Sequence, residues 1–264
     1  MAEETERVAE KAAAAEKAAA AETAQAASAE GLAVHAAAER TIAGRAVLVV
    51  EVGEPGPDAP VCYAFIDRAH GDDAEAIAQA AAHRLASFIF VACDADDWNA
   101  ALSPWPEEKG AYGEAFAGDG PATLAWLLDD CIPAIEGARS ARPRAIAGYS
   151  LAGLFAAWAF LESGAFRGLA CCSGSLWFPG WGEWAQGRQA PAGSVAYLSL
   201  GKKEPRVRNA RIAQVGAATE AFARALRDAG AVRASAFVWN PGGHFNDPTG
   251  RLGAGIAWTV AHLA

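Results

Sequence analysis

The sequence predicts an α/β protein with a mostly parallel central sheet and helices on both faces. Short β-branched or aromatic runs recur from Ala46 onward, and stretches of helical pattern separate them. Strands that alternate with helices form parallel sheets, because each crossover helix covers one face of the sheet. The predicted strands are 46–52, 61–66, 87–93, 144–149, 168–173, 195–201 and 235–240.

The predicted helices lie between these strands and after the last one, at 72–84, 121–135, 151–162, 207–229 and 251–263. In helix 151–162 the large apolar residues recur at helical spacing, which predicts one apolar stripe against the sheet. That stripe consists of Leu151, Leu154, Phe155 and Trp158.

Residues 1–40 form a separate predicted segment that is rich in Ala and Glu. This composition favours helix but offers little apolar surface to bury, so we expect an exposed helical or disordered extension. A partner-binding helix is the alternative. Residues 41–264 are predicted to form one domain that carries the functional site.

Composition and charge exclude several classes of function. A chain of 264 residues that is 53% hydrophobic can bury a large core. The net charge of -9, without an extended Lys and Arg cluster, argues against nucleic acid or an anionic membrane as partner.

We expect a cytoplasmic protein, because the sequence has neither a signal-peptide pattern nor a membrane-spanning apolar run. Five cysteines without metal-site spacing predict reduced thiols and no structural zinc. We expect neither a metal nor a cofactor. The oligomeric state cannot be predicted.

Ser150 is the candidate nucleophile. It lies between strand 144–149 and helix 151–162, within Gly148-Tyr149-Ser150-Leu151-Ala152-Gly153, which nearly spells Gly-x-Ser-x-Gly. A sharp strand-to-helix turn lifts such a hydroxyl above the sheet, and the next backbone N–H, here that of Leu151, can face an oxyanion. The alternative is that Ser150 is an ordinary helix N-cap.

A histidine and an acid follow Ser150 in the chain order expected for this arrangement. His244, in WNPGGHFND, is the one histidine of five that follows the end of a predicted strand, and we expect it to act as general base. Glu204 comes just after strand 195–201 and is the expected orienting acid, with Asp247 as the second candidate. A surface loop role for His244 and a surface ion pair for Glu204 are the alternatives.

Two long loops rich in Gly, Pro and Trp, 94–120 and 174–193, follow strand ends, where ligands bind in open α/β sheets. The loop after strand 87–93 is expected to supply a second oxyanion donor near Trp98. We expect Trp105, Trp177 and Tyr149 to line the substrate pocket, although any single tryptophan is more often a packing residue.

The segments DWNAALSPWP, GYSLAGL, SGSLWFPG, SLGKKEPRVRN and WNPGGHFNDPTGR, in this order, resemble the esterase D or enterochelin esterase-like branch of the α/β-hydrolase superfamily. The resemblance covers residues 45–263 and implies an α/β-hydrolase fold. It also implies cleavage of a small-molecule carboxylic ester or thioester through an acyl intermediate on Ser150. The family's histidine, acid and oxyanion N–H fall on His244, Glu204 and Leu151, whereas Ala152 replaces the commoner glycine. An acyltransferase with the same triad, or a ligand-binding protein without activity, is the alternative.

Overall fold

The computed structural model describes residues 31–35, 37–82, 86–137 and 141–263. Its sheet has eight strands, which are β1 Ala38–Ile42, β2 Arg45–Val52, β3 Val61–Ile66, β4 Phe88–Asp94, β5 Arg144–Tyr149, β6 Gly168–Cys172, β7 Ser194–Gly201 and β8 Val232–Asn240. Their order in the sheet is β1-β2-β4-β3-β5-β6-β7-β8. Strand β2 is antiparallel to β1 and β4, and the strands from β3 to β8 run parallel, so the predicted mostly parallel sheet is confirmed.

Strand β1 was not predicted. It pairs with β2 from Ala38 opposite Val49 to Ile42 opposite Arg45, at the edge of the sheet. Most of its side chains are exposed, so its sequence lacks the apolar alternation of a half-buried strand. Ala43 and Gly44 both have positive φ, as a two-residue hairpin turn between such strands requires. The sheet thus begins inside the predicted segment 1–40, of which residues 1–30 lie outside the described residues.

Several predicted helices have different limits in the structure. The first eight residues of predicted helix 207–229 are not α-helical. The Asn209 side chain there accepts bonds from the N–H groups of Arg211 and Ile212, which competes with helix formation. The helices are α1 Ala74–Ala81, α2 Trp98–Ala101, α3 Gly120–Trp126, α4 Ile132–Glu136, α5 Leu151–Ser163, α6 Trp181–Ala185, α7 Val215–Asp228 and α8 Pro248–Leu263.

Predicted helix 121–135 is divided in the structure. Helix α3 continues through a π-helical turn, Leu127–Cys131, into α4. Pro133 has no N–H to donate to the carbonyl four residues earlier, and this missing bond explains why the regular helix is interrupted here.

Helix α5 is buried at every position from Leu151 to Phe160, so the single apolar stripe predicted for it was too narrow. Phe155 packs edge-on against Phe65 of β3, and Trp158 contacts Trp184 of α6 at 6.4 Å between ring centroids. The tryptophan-rich loop 174–193 therefore packs over the helix that follows Ser150. Helices α1 and α8 contribute to a second cluster of buried apolar residues with the strands.

All five cysteines lie among the described residues, where they are buried and form no disulfide. Within the described ranges, no helix is both long and apolar enough to cross a bilayer.

Candidate active site

Ser150 occupies a strained turn between β5 and α5. Its φ of 58° and ψ of -123° are rare for a residue with a side chain. The turn is held from both sides, because the Ser150 N–H donates to the Cys172 carbonyl at 3.2 Å and its carbonyl accepts from the Ser175 N–H at 2.9 Å. The hydroxyl makes no capping bond to α5 and instead lies 3.0 Å from His244 Nε2. The N-cap alternative therefore does not describe this hydroxyl.

Two glycines permit close backbone contacts of α5 with β5 and with the loop after β6. A Cβ on Gly148 would lie 2.1 Å from the Ala152 carbonyl oxygen, and one on Gly153 would lie 2.8 Å from the Gly174 Cα. Position 152 accommodates alanine. The steric demand of this turn falls on 148 and 153, which are glycine here.

The structure brings Ser150, Glu204 and His244 together. His244 lies in the loop between β8 and α8, and its Nδ1 is 2.8 Å from Glu204 Oε2. Its other ring nitrogen faces Ser150, so the imidazole bridges the hydroxyl and the carboxylate. Asp247, the second candidate acid, has a different contact: its Oδ1 accepts from the Gly250 N–H at 3.0 Å, near the start of α8.

Glu204 is a buried carboxylate with a full set of partners. Its Oε1 accepts from the Ser173 hydroxyl and the Gly201 N–H, both at 2.7 Å, while Oε2 faces His244. Burial alone raises the pKa of Glu204, but the hydrogen bond and charge of His244, with the bonds from Ser173 and Gly201, outweigh burial and leave this pKa below its ordinary value. Glu204 is thus held ionised beside the imidazole.

Arg251, which was not among the predicted site residues, joins Glu204 to the loop that carries His244. This buried side chain on α8 has Nη1 3.4 Å from Glu204 Oε1, and it donates to the carbonyls of Gly243 at 3.0 Å and Pro241 at 2.6 Å. Tyr149 also holds the His244 loop, since its hydroxyl donates to the His244 carbonyl at 2.5 Å. An arginine in the first turn of a predicted helix gives no sign of such a role from sequence.

The lowered pKa of Glu204 predicts a pH-dependent contribution to stability. The unfolded carboxyl titrates near its ordinary pKa of about 4.3, so at acidic pH the unfolded chain binds more protons and stability rises with pH. The contribution is complete above that value and is lost as the pH falls through the lower pKa of the folded state.

We therefore expect Glu204→Gln to reduce the free energy of unfolding at pH 7, and the difference from the unmodified protein to shrink below about pH 4. Urea unfolding between pH 3 and 7 measures it. Glu220→Gln, an exposed site on α7, serves as control. A difference that is constant across this range would contradict the prediction.

Two cavities meet at the nucleophile, with volumes of about 310 and 360 Å³. Trp98, Ser150, His244 and Phe245 line both of them. The smaller cavity is also lined by Tyr149, and the larger by Leu151 and Trp177.

Trp105 lies in a different environment from the other predicted pocket residues. Its indole N–H donates to the Pro179 carbonyl at 2.8 Å, and its ring packs against Phe178 and Trp184. It lines neither of the two cavities that reach Ser150 in the described part of the chain.

The structure offers two loops for a second oxyanion donor beside Leu151. Trp98 begins α2, where Asp97 caps the Ala100 N–H, so the first helical N–H, that of Trp98, has no partner within the helix. In the α/β-hydrolases that the sequence resembles, this donor comes from the loop after the third strand. Because β1 was missed, predicted strand 87–93 is third in the sequence-based order but fourth in the structure. The loop after the true third strand includes Asp67 and Arg68, and Asp67 also lines the smaller cavity.

Comparisons with known proteins give structural matches alone. No family model matches the sequence, and no curated protein matches it. Siderophore hydrolase EstA from Aspergillus nidulans superposes with a TM-score of 0.64 at 16% identity, over 90% of this chain and 96% of that one. An IroE-like serine hydrolase from Shewanella oneidensis gives 0.65 at 15% identity, over 86% and 79%.

The enterobactin esterase FES from Shigella flexneri, solved in the presence of enterobactin, gives a TM-score of 0.63 at 19% identity, over 87% of this chain and 60% of that one. At these identities the likeness establishes architecture. Together with the strand order, it shows that the chain has the α/β-hydrolase fold, as these three structures do.

Proposed function

We propose that the protein is a serine hydrolase that cleaves carboxylic esters or thioesters of small molecules through an acyl intermediate on Ser150. The observation that carries this proposal is the unbroken chain of contacts from the Ser150 hydroxyl through His244 to Glu204, starting at a strained turn. The neighbours of the same fold that are named as a siderophore hydrolase and an enterobactin esterase support ester cleavage as the reaction.

In the proposed reaction His244 Nε2 removes the Ser150 proton as the hydroxyl oxygen attacks the ester carbonyl. The Leu151 N–H and a second backbone N–H stabilise the oxyanion. His244 then gives its proton to the departing alcohol, which leaves the acyl group on Ser150. Water, activated by the same imidazole, attacks this acyl-serine and releases the acid and the free hydroxyl.

Glu204 has a supporting role in this mechanism. Its carboxylate fixes the imidazole so that Nε2 faces Ser150, and its negative charge stabilises the imidazolium that forms during each proton transfer. The hydrogen bonds from Ser173 and Gly201 to Oε1 hold the carboxylate in the orientation that faces His244.

Labelling with a fluorophosphonate, together with hydrolysis of p-nitrophenyl butyrate, tests this proposal. We expect one equivalent of label, located on Ser150 by peptide mapping, and neither label nor turnover in Ser150→Ala. Folded protein that takes up no label and cleaves no ester would overturn it and favour the ligand-binding alternative. Release of acyl groups to an added alcohol rather than to water would favour the acyltransferase.

The predicted oxyanion role of Trp98 has a direct test. Proline removes a backbone N–H but is well tolerated at the first position of a helix, and the extended backbone of Asp97 suits a following proline. If the Trp98 N–H is the donor, Trp98→Pro lowers kcat by about 10²–10³-fold relative to Trp98→Ala, which keeps the N–H. Equal kcat in the two variants would assign the second donor to the loop after β3 instead.

A further inference from the structure

The exposed large hydrophobic side chains of the described residues gather at one place. They are Tyr112, Val207 and Phe245, with 81%, 40% and 91% of their surface exposed, and all three line the 360 Å³ cavity beside Ser150. Phe245 directly follows His244 and stands edge-on to its ring, with centroids 5.1 Å apart. Exposed apolar side chains clustered at a cavity mouth mark a surface that binds an apolar group.

The interior of this cavity continues the apolar character of its mouth. Trp98, Phe116 and Trp177 contribute aromatic walls, with Ile212 and Val215 beside them. An apolar cavity of about 150 Å³ holds a benzene molecule, so a cavity of 360 Å³ has room for about two aromatic rings or an equivalent aliphatic group.

The charged side chains that line the two cavities are carboxylates, and the Arg251 guanidinium beside Glu204 lines neither cavity. The ionisable acids that line the two cavities are Asp67, Asp72, Glu114 and Glu204, and among the described lining residues there is no Lys or Arg. Glu114 lies in the apolar cavity itself, where its Oε2 accepts from the Tyr112 N–H at 2.7 Å. A negatively charged substrate group would meet carboxylates here without a cation to pair with, which costs binding energy.

We propose that the natural substrate is an ester with an uncharged aromatic or extended apolar arm, held in the 360 Å³ cavity and covered by Tyr112 and Phe245. The arm carries no carboxylate, phosphate or other anionic group. This inference depends on the proposed function for the bond that is cleaved, whereas the binding preference follows from the cavity alone.

Three methyl esters with the same leaving group test the proposal by their kcat/KM values: methyl acetate, methyl 4-phenylbutanoate and methyl 4-(4-carboxyphenyl)butanoate. We expect the phenyl ester to exceed each of the other two by about tenfold or more. In Phe245→Ala and Tyr112→Ala the ratio of phenyl ester to acetate should fall several-fold. Using this ratio cancels any effect of Phe245 on His244. Equal values for the phenyl and carboxyphenyl esters, or an unchanged ratio in both variants, would overturn the proposal.

A charge placed at the mouth gives the converse test. Val207→Lys supplies the missing cation, and Val207→Gln is the uncharged control of similar length. We expect the rate for the carboxyphenyl ester, relative to the phenyl ester, to rise about fivefold in the lysine variant alone. A similar rise in both variants would show that charge does not set the preference.

Binding to Ser150→Ala separates this inference from the proposed function. Trp98 and Trp177 line the cavity, so changes in tryptophan fluorescence report its occupancy by the phenyl ester or the carboxyphenyl ester without turnover. Binding of the phenyl ester that is about tenfold tighter than binding of the carboxyphenyl ester supports the inference. It does so even if the unmodified protein cleaves no ester and the proposed function fails. Equal binding, or no binding of the neutral ester, contradicts it.

Discussion

Replacing Ser150 or His244 by alanine is expected to lower kcat for p-nitrophenyl butyrate by on the order of 10⁶-fold, and replacing both should lower it no further. The reason is that Ser150 Oγ lies 3.0 Å from His244 Nε2 and transfers its proton to that nitrogen, so removing either side chain leaves the other without a reaction partner. Initial rates of the two single variants and the double variant measure this non-additivity.

His262→Ala is the control for these variants, because His262 stacks on Trp258 at the end of α8 and lines neither cavity. Its kcat should stay close to that of the unmodified protein. Circular dichroism should show that all the variants are folded. If the losses in the two single variants multiplied in the double variant, His244 would not be the base that activates Ser150.

Replacing Arg251 by methionine is expected to destabilise the protein by about 3–5 kcal/mol. The change leaves the buried Glu204 carboxylate without its nearby cation and removes the donors to the carbonyls of Pro241 and Gly243. Urea unfolding at pH 7 measures the loss. Because those carbonyls belong to the His244 loop, kcat should also fall in conditions where the variant is folded.

Arg251→Lys distinguishes charge from geometry at this position. Lysine keeps the positive charge but lacks the planar fork that reaches two carbonyls at once. We expect it to recover part of the stability and less of kcat. Equal defects in the lysine and methionine variants would show that the charge beside Glu204 contributes nothing, and stability near that of the unmodified protein in both would refute the role of Arg251.

Much of the sheet could be predicted from sequence because its inner strands are continuous apolar runs. Strand β3 is buried at all six positions and β7 at all eight, so both stand out against the polar segments around them. Strand β1 could not be found this way, because an exposed edge strand need not contain an apolar pattern. Without β1, strand 87–93 is third in the predicted order, whereas the corresponding β4 is fourth in the structure.

The candidate site was predictable to the extent that chemistry is visible in residue type and chain order. Ser150, Glu204 and His244 each follow a strand end, and the structure places them in contact. Arg251 and Ser173 were missed because their role depends on burial against Glu204, which the linear sequence does not reveal. The sequence does not reveal which tryptophans line a cavity. Trp177 lines the 360 Å³ cavity, whereas Trp105 packs against Phe178.

The meeting of two cavities at Ser150 has a consequence for the order of events in a catalytic cycle. With the acyl arm in the 360 Å³ cavity, as in the methyl ester test, the alcohol leaves through the 310 Å³ cavity. The vacated cavity then offers the incoming nucleophile direct access to the acyl-serine. The partition between water and a competing alcohol would thus depend on how well the 310 Å³ cavity, whose wall carries Asp67 and Asp72, accommodates that alcohol.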